Sequence, residues 1–277
     1  FVASSIFENK MQYQMQNSDF AILYRTNAQS RSFEDALRKK NIPYRVYGGL
    51  SFYQRKEIKD VLAYLRLLIN NDDEQALKRI INFPARGIGL TTLNKISIEA
   101  KNKSVSDYTY LKDYSKSSTI LNNSTKNKLL DFVVMIESIK AKLESLDVFE
   151  ITKEVLKQSG LYNLYKNDES MEGVNRIQNI EELLNGIKDF VENNDKNQVS
   201  VSTFLQDVAL ATDQDNESND KNKVALMTIH LAKGLEFPFV YIVGLEENLF
   251  PSAMNLNSRT ELEEERRLFY VALTRAE

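Results

Sequence analysis

The sequence contains no cysteine and a single histidine, His230. The first absence removes disulfides, thiol chemistry and cysteine-ligated metals, and the second removes a histidine-rich zinc centre. No apolar run approaches the length of a membrane span, and the N-terminus lacks the basic-then-apolar pattern of a secretory signal. A soluble, reducing, cytoplasmic setting with no membrane partner is the expectation. An excess of basic charge is missing too. The 36 Lys and Arg stand against 39 Asp and Glu, for a net charge of -3. Such a chain has no global field for coating DNA indiscriminately, although a local groove can still be basic. Nor is there a G-x-x-x-x-G-K-[ST] loop, or a matching acidic strand end to hold magnesium.

What is present can build a substantial core. The chain has 277 residues, 42% of them apolar, enough for one large or two modest domains. A first residue of Phe1 and a last segment, "VALTRAE", that reads as mid-helix lead us to expect a piece of a larger protein. Residues 19–24, "DFAILY", predict a buried strand followed by a polar loop, "RTNAQS". Ser30 is placed to cap a helix in which Phe33, Ala36 and Leu37 share a face. "NIPYRVYGG" reads as a turn, a short strand and a glycine turn. From Lys56, the spacing of Ile58, Val61, Leu62, Leu65, Leu68 and Ile69 fits a helix. After about residue 70 the period is mostly helical. Residues 101–127, rich in Ser, Asn and Lys, read as a loose connection, and 212–223 as an exposed linker. Strand patterning returns at "VALMTI" and "FVYIV". The expectation is an α/β fold whose parallel-sheet domain, residues 1–117 and 215–277, is interrupted by a mostly helical insertion at 118–214.

Polar clusters mark three places. "LMTIHLAKGLEFPFVYIVG" puts a charged loop between two strands, where ligands of open α/β sheets collect. There Gly234 permits close approach of an anion to the backbone, Lys233 offers a charged donor, and Glu236 can accept from a ribose hydroxyl. The plainer reading is a solvated crossover whose histidine packs or caps. In "LYRTNAQSR", Tyr24 has a flat ring for a base and Arg25 a fork of donors for phosphate, against the alternative of a surface arginine beside a core tyrosine. In "ELEEERRLFYVALTRAE" a solvated amphipathic helix, with Leu262, Phe269 and Leu273 on one face, explains most of the charge. It accounts less well for Arg275 beyond the apolar run.

Taken together, "YRTNAQSR", "YRVYGGLSFYQRKEIKDVLAYLRL", "NFPARGIG", "NRIQNIEELLNG", "MTIHLAKGLEFPFVYIVGLEENLFPS" and "EEERRLFYVALTRAE" resemble, in order and over essentially the whole chain, the second motor half of the superfamily 1 DNA helicases of the UvrD, PcrA and Rep group. The resemblance implies a RecA-like domain of the P-loop NTPase superfamily with an inserted accessory domain. It implies ATP hydrolysis with Mg2+ and 3′ to 5′ movement along single-stranded DNA to unwind duplex. It puts Tyr24 against the adenine, Arg25 and Arg275 on the terminal phosphate, and Glu236 near the ribose. Thr228, His230 and Lys233 fall in a region that contacts the DNA backbone, and Ser252 of "LFPS" continues that surface with a hydroxyl contact. "RGIG" resembles glycine hairpins that bring N–H groups to phosphate, making Arg86, Gly87 and Gly89 backbone or duplex candidates beside the alternative of a tight structural turn. Ala272 stands where many relatives have glycine.

The missing phosphate loop and magnesium site belong, by this resemblance, to a first motor domain preceding residue 1. The chain alone is then expected to lack ATPase activity and to hold no cofactor tightly. The implied partners are single-stranded DNA, a single-strand/duplex junction and the N-terminal motor domain of the same chain; no oligomeric state is assigned. Two other functions stand as alternatives: the helicase portion of a helicase–nuclease, and a non-catalytic DNA-binding or interaction module. Intact Arg25 and Arg275 count against the latter.

Overall fold

Residues Phe20–Tyr24 form β1 in the computed structural model, which describes residues 1–195, 198–216, 221–247, 249–252 and 258–277. Every residue of β1 is buried, as the unbroken apolar run "FAILY" requires of a strand covered on both faces. β2 (Tyr44–Val46), β3 (Val224–Thr228) and β4 (Phe239–Ile242) join it in one parallel sheet of order β2-β3-β1-β4. Strands from the two ends of the sequence thus lie side by side, Ala21 opposite Ala225 and Phe20 opposite Phe239. Side chains alternate between the faces with period two. Phe20, Ile22, Tyr24, Val224 and Leu226 pack with Ala3 and Ile6 of α1 (Val2–Tyr13) and Leu37 of α2 (Ser30–Lys39).

By contacts, the chain divides into two compact units, residues 1–55 with 210–277, and residues 56–209. The second unit is helical: α3 (Lys56–Ile69), α4 (Glu74–Ile80), α5 (Leu90–Asn102), α6 (Asp107–Asp113), α7 (Asn123–Lys140), α8 (Val148–Ser159), α9 (Leu161–Lys166) and α10 (Met171–Asn193), with α11 (Val201–Asn216) running across the division. Side-chain oxygens fix many of the starts. Asp73, Ser106, Asn122, Asp147 and Ser170 each accept a backbone N–H at the head of α4, α6, α7, α8 and α10. Gly160, at φ 82°, ends α8 in the left-handed conformation.

Composition divided the chain differently, and the difference has physical causes. α3 is apolar on more than one stripe: Ala63, Tyr64 and Leu67 are buried as well as Ile58, Val61, Leu62, Leu65 and Leu68. It therefore packs among α4, α7, α8 and α10, and residues 56–117 belong to the helical unit. The stretch 101–127 is not a loose connection throughout, because Tyr108, Tyr110 and Leu111 of α6 are buried. α11 continues to Asn216, so the first part of the expected linker is helical; a helix once formed propagates without apolar residues. Residues 217–220 lie outside the described residues.

The other face of the sheet is covered by α12 (Arg259–Leu273). Ala21, Leu23, Ala225 and Met227 pack with Leu268 and Ala272 of this helix, together with Ile229, Ala232 and Phe250. The buried stripe of α12 is Glu265, Leu268 and Ala272, not the expected Leu262, Phe269 and Leu273; Leu262 and Leu273 are exposed. Ala272 is fully buried, which makes it a packing position. Among the described residues, no helix is long and apolar enough to cross a membrane.

Candidate functional site

β1 and β3 end together. Tyr24 lies opposite Thr228, and Ile229 N–H donates to the Tyr24 carbonyl at 3.0 Å. The loops at 25–29 and 229–236 therefore leave the same edge of the sheet, the carboxyl edge where ligands of parallel sheets bind. Gln29 shapes the first loop. Its Oε1 accepts from Arg25 N–H at 3.0 Å and Thr26 N–H at 2.9 Å. Gly244, at φ 71°, makes room for that amide: a Cβ there would come within 2.0 Å of Gln29 Nε2.

Arg25 is held by a carboxylate from α12. Its Nε donates to Glu265 Oε1 at 3.1 Å and Oε2 at 3.2 Å, and its Nη2 to Oε1 at 2.7 Å. Nη1 has no protein partner among the described residues. Glu265 is 4% exposed, and Oε2 also accepts from Ser252 N–H at 3.3 Å. At Ser252 it is thus the backbone that is engaged. His230 is nearby. Partial desolvation of the ring, then the Arg25 charge, holds His230 below its ordinary pKa, while Glu265 and Glu264 pull the other way. The folded-state value is depressed, so the ring is neutral at pH 7. Arg25→Ala removes the positive charge that opposes Glu265 and Glu264, so His230 is expected to titrate at higher pH in that variant. As the only histidine of the chain, it gives one imidazole resonance to follow by NMR; an unmoved titration would contradict this proximity.

Tyr24 does not present its ring at the sheet edge. The side chain is fully buried among Phe20, Ile22, Leu37, Ile42, Val224 and Leu226, and its hydroxyl has no hydrogen-bond partner among the described residues. Burial raises the hydroxyl pKa, Glu34 adds to the rise, and Arg55 opposes it. Those two belong to a buried polar cluster. Ser30 Oγ donates to Glu34 at 2.6 Å, Arg55 Nη2 donates to Ser30 Oγ at 2.6 Å, and Glu34 Oε2 accepts from Phe52 N–H at 3.1 Å.

On the second loop, Thr228 is half-buried, whereas His230, Lys233, Gly234 and Glu236 are exposed. Lys233 and Glu236 make no side-chain hydrogen bond or ion pair among the described residues. Gly234 adopts φ 87°, and a Cβ there would meet nothing within 4 Å, so its backbone conformation, not crowding, favours glycine. Arg275 is anchored on this loop: Nη1 donates to the Leu235 carbonyl at 2.9 Å and Nε to that of Val271 at 3.0 Å. Phe237 N–H in turn donates to the Arg275 carbonyl at 2.9 Å. Arg275 thus sits against the residue between Gly234 and Glu236.

The remaining candidates lie in the helical unit. Asn82 Oδ1 accepts from Arg86 N–H at 2.9 Å and Ile88 N–H at 3.0 Å, closing a hairpin. Gly87 takes φ 69°, and Gly89 precedes the first turn of α5 with no side-chain cap. The Arg86 guanidinium is used inside the unit. It donates to Ile80 O at 2.9 Å, Tyr64 Oη at 2.8 Å and Ser159 O at 3.3 Å, and lies over the Phe132 ring at 5.4 Å. Lys128 brings an ammonium to the hairpin, 2.7 Å from where a Cβ on Gly87 would stand.

The sheet therefore gathers Arg25, His230 and Glu265 in one group, and Arg275 with Gly234 and Glu236 in another, both tied to α12. Glu265, Gln29 and Lys128 were missed from the sequence. Glu265 shares the i, i+3, i+7 stripe of Leu268 and Ala272, which was the available signal. Among the described residues, no three acidic or histidine side chains cluster to hold a metal.

Sequence comparison identifies the lineage of this arrangement. The chain is 44% identical over 262 residues to the ATP-dependent DNA helicase PcrA of Staphylococcus epidermidis (strain RP62A), covering 94% of this chain and 36% of the relative. It is 42% identical over 261 residues to the ATP-dependent DNA helicase PcrA of Staphylococcus aureus (strain Mu50), covering 94% and 35%. The chain thus spans about a third of the length of these relatives. It also matches the UvrD-like helicase C-terminal domain over residues 1–277, and it belongs to that family.

Proposed function

We propose that this chain is the second motor portion of an ATP-dependent DNA helicase that moves 3′ to 5′ on single-stranded DNA in the cytoplasm. The observation that carries the reading is the pair of arginines at one end of the parallel sheet, Arg25 clamped to α12 and Arg275 two residues past its end. Phosphoryl transfer is catalysed mainly by positioning and charge stabilisation, and guanidinium groups supplied across a cleft meet the charge developing on the transferred group. ATP with Mg2+ supplies that group when bound. The phosphate loop and metal site come from an N-terminal motor domain of the same chain; Arg25 and Arg275 reach the terminal phosphate, and Gly234 and Glu236 the sugar side. An adenine contact by Tyr24 requires the enclosed ring to become accessible, so in the state described here Tyr24 supports the loop from below.

Thr228, His230, Lys233 and Ser252 line the DNA side, with Lys233 the main phosphate donor because its ammonium is unpaired among the described residues. The helical unit serves as the accessory domain at the single-strand/duplex junction. There the hairpin offers Gly87 and Gly89 backbone to phosphate and Lys128 supplies charge, while Arg86 braces the hairpin from within. The test is strand displacement by the whole protein with ATP and Mg2+. Duplexes with a 3′ single-stranded tail should be unwound and those with a 5′ tail left intact. Equal unwinding of both, or none with either, would refute the proposal.

A further inference from the structure

We propose that Glu265 is a positioning residue for phosphoryl transfer, gripping the Nε–Nη2 edge of Arg25 and leaving Nη1 available to the terminal phosphate; this rests on the role proposed above for Arg25. Glu265 sits within a run of charges, yet it differs from its neighbours. Arg266 pairs with Glu263 and Arg267 with Glu264 on the solvated side of α12, where all four side chains are exposed. Glu265 instead points into the fold on the stripe of Leu268 and Ala272, beside an apolar recess lined by Leu245, Phe250, Leu262 and Phe269. Its carboxylate meets three Arg25 contacts and one backbone N–H from Ser252.

A carboxylate held this way fixes both the direction and the plane of a guanidinium, because the planar fork matches two oxygens at once. Without it, Arg25 is a long side chain with many rotamers. Ordering it only when nucleotide arrives would cost entropy at the reacting step, and small misplacements of a catalytic group are expensive in rate. The clamp also adds a task to α12 beyond covering the sheet. The helix that fixes Arg25 through Glu265 ends two residues before Arg275 and accepts its Nε at the Val271 carbonyl, so both arginines keep one frame of reference.

The experiment compares ATP turnover of the whole protein, saturated with single-stranded DNA, in Glu265→Ala, Glu265→Gln, Arg25→Ala and the Arg25→Ala/Glu265→Ala double variant. Glu265→Ala should lower kcat by roughly ten- to hundred-fold, with the KM for ATP and the DNA affinity held within about threefold of the parent. Glu265→Gln retains an acceptor oxygen and should recover most of the loss. The double variant should turn over no more slowly than Arg25→Ala, because Glu265 acts through Arg25. A merely structural glutamate would give an additive loss, and that result overturns the proposal. So does normal turnover in Glu265→Ala when Arg25→Ala has collapsed, an outcome that leaves the role of Arg25 standing. Normal turnover in Arg25→Ala would instead remove that role and this inference with it. Should Glu265→Ala fail to fold, Glu265→Asp decides, since it keeps the charge but withdraws the carboxylate by one methylene: kcat falls if position matters and holds if it does not.

Discussion

Alanine in place of Arg25 or Arg275 is expected to lower DNA-saturated ATP turnover of the whole protein by roughly 10³- to 10⁵-fold, with little change in affinity for single-stranded DNA. Each guanidinium is assigned to charge that exists only as the phosphoryl group transfers, so its loss should fall on kcat more than on binding. The two variants differ in their side effects. Arg25→Ala leaves the Glu265 carboxylate, 4% exposed, without its main counter-charge. Such a break costs on the order of 3 kcal/mol of stability, and Arg25→Ala/Glu265→Gln should restore most of it. Arg275 donates to the carbonyls of Leu235 and Val271 and to Thr274 Oγ1, in the more solvated surroundings of the chain's last turn. Its removal should cost little stability, which makes it the cleaner test. A steady-state ATPase assay, a DNA titration and an unfolding curve for each variant give the comparison. Near-normal turnover in both, with intact folding, would leave the arginines as surface charges and defeat the mechanism.

The parallel sheet was legible because its strands advertise themselves. "FAILY" is apolar without alternation and "VALMT" nearly so, the pattern of strands with helices on both faces, and β1 and β3 are the neighbouring central pair. The place of Arg25 at the sheet edge was legible because it follows a strand end and a strand end has a known edge of the sheet. Glu265 was not, since a run of Glu and Arg reads as solvated whichever member turns inward; only the spacing to Leu268 and Ala272 distinguishes it. α6 was hidden for the opposite reason, its buried Tyr108, Tyr110 and Leu111 lying in a stretch dominated by Ser, Asn and Lys. The division of the chain depends on which helix packs on which. α3 carries the same kind of stripe whether it covers a sheet or other helices, and only its burial on several sides reveals the helical surroundings. Tyr24 shows a further limit. A tyrosine at a strand end can face out or in, and here alternation along β1 sends it to the face of Phe20 and Ile22.

Arg86→Ala is expected to destabilise the helical unit by about 3 kcal/mol, lowering its unfolding midpoint by roughly 6–12 °C for a unit of this size. The sequence alone made Arg86 a DNA contact or part of a turn. In the structure its guanidinium donates to the carbonyls of Ile80, Ile81 and Pro84, to Tyr64 Oη and to Ser159 O. It therefore joins the ends of α4 and α8 to α3, and its place over Phe132 adds α7. Helix-end carbonyls carry partial negative charge and lack intrahelical donors, so a half-buried cation among them satisfies several acceptors at once. Tyr64 is coupled to the same group: its hydroxyl donates to Phe83 O at 2.8 Å while accepting from Arg86. Lysine should not rescue the loss, because one ammonium cannot reach carbonyls on several sides of a planar fork. The calorimetric transition of Arg86→Ala and Arg86→Lys checks the stability term, and DNA binding measured below that transition separates bracing from contact. If Arg86 acts as a brace, binding is retained while the unit stays folded and is lost with it on warming. An unchanged midpoint with DNA binding already weakened in the cold would return Arg86 to the DNA surface. Lys128 supplies the contrast, being exposed beside Gly87 and unpaired among the described residues. Its alanine variant should keep the parent midpoint and flatten the salt dependence of duplex binding by about 0.9 in logarithmic slope, the share of one phosphate contact.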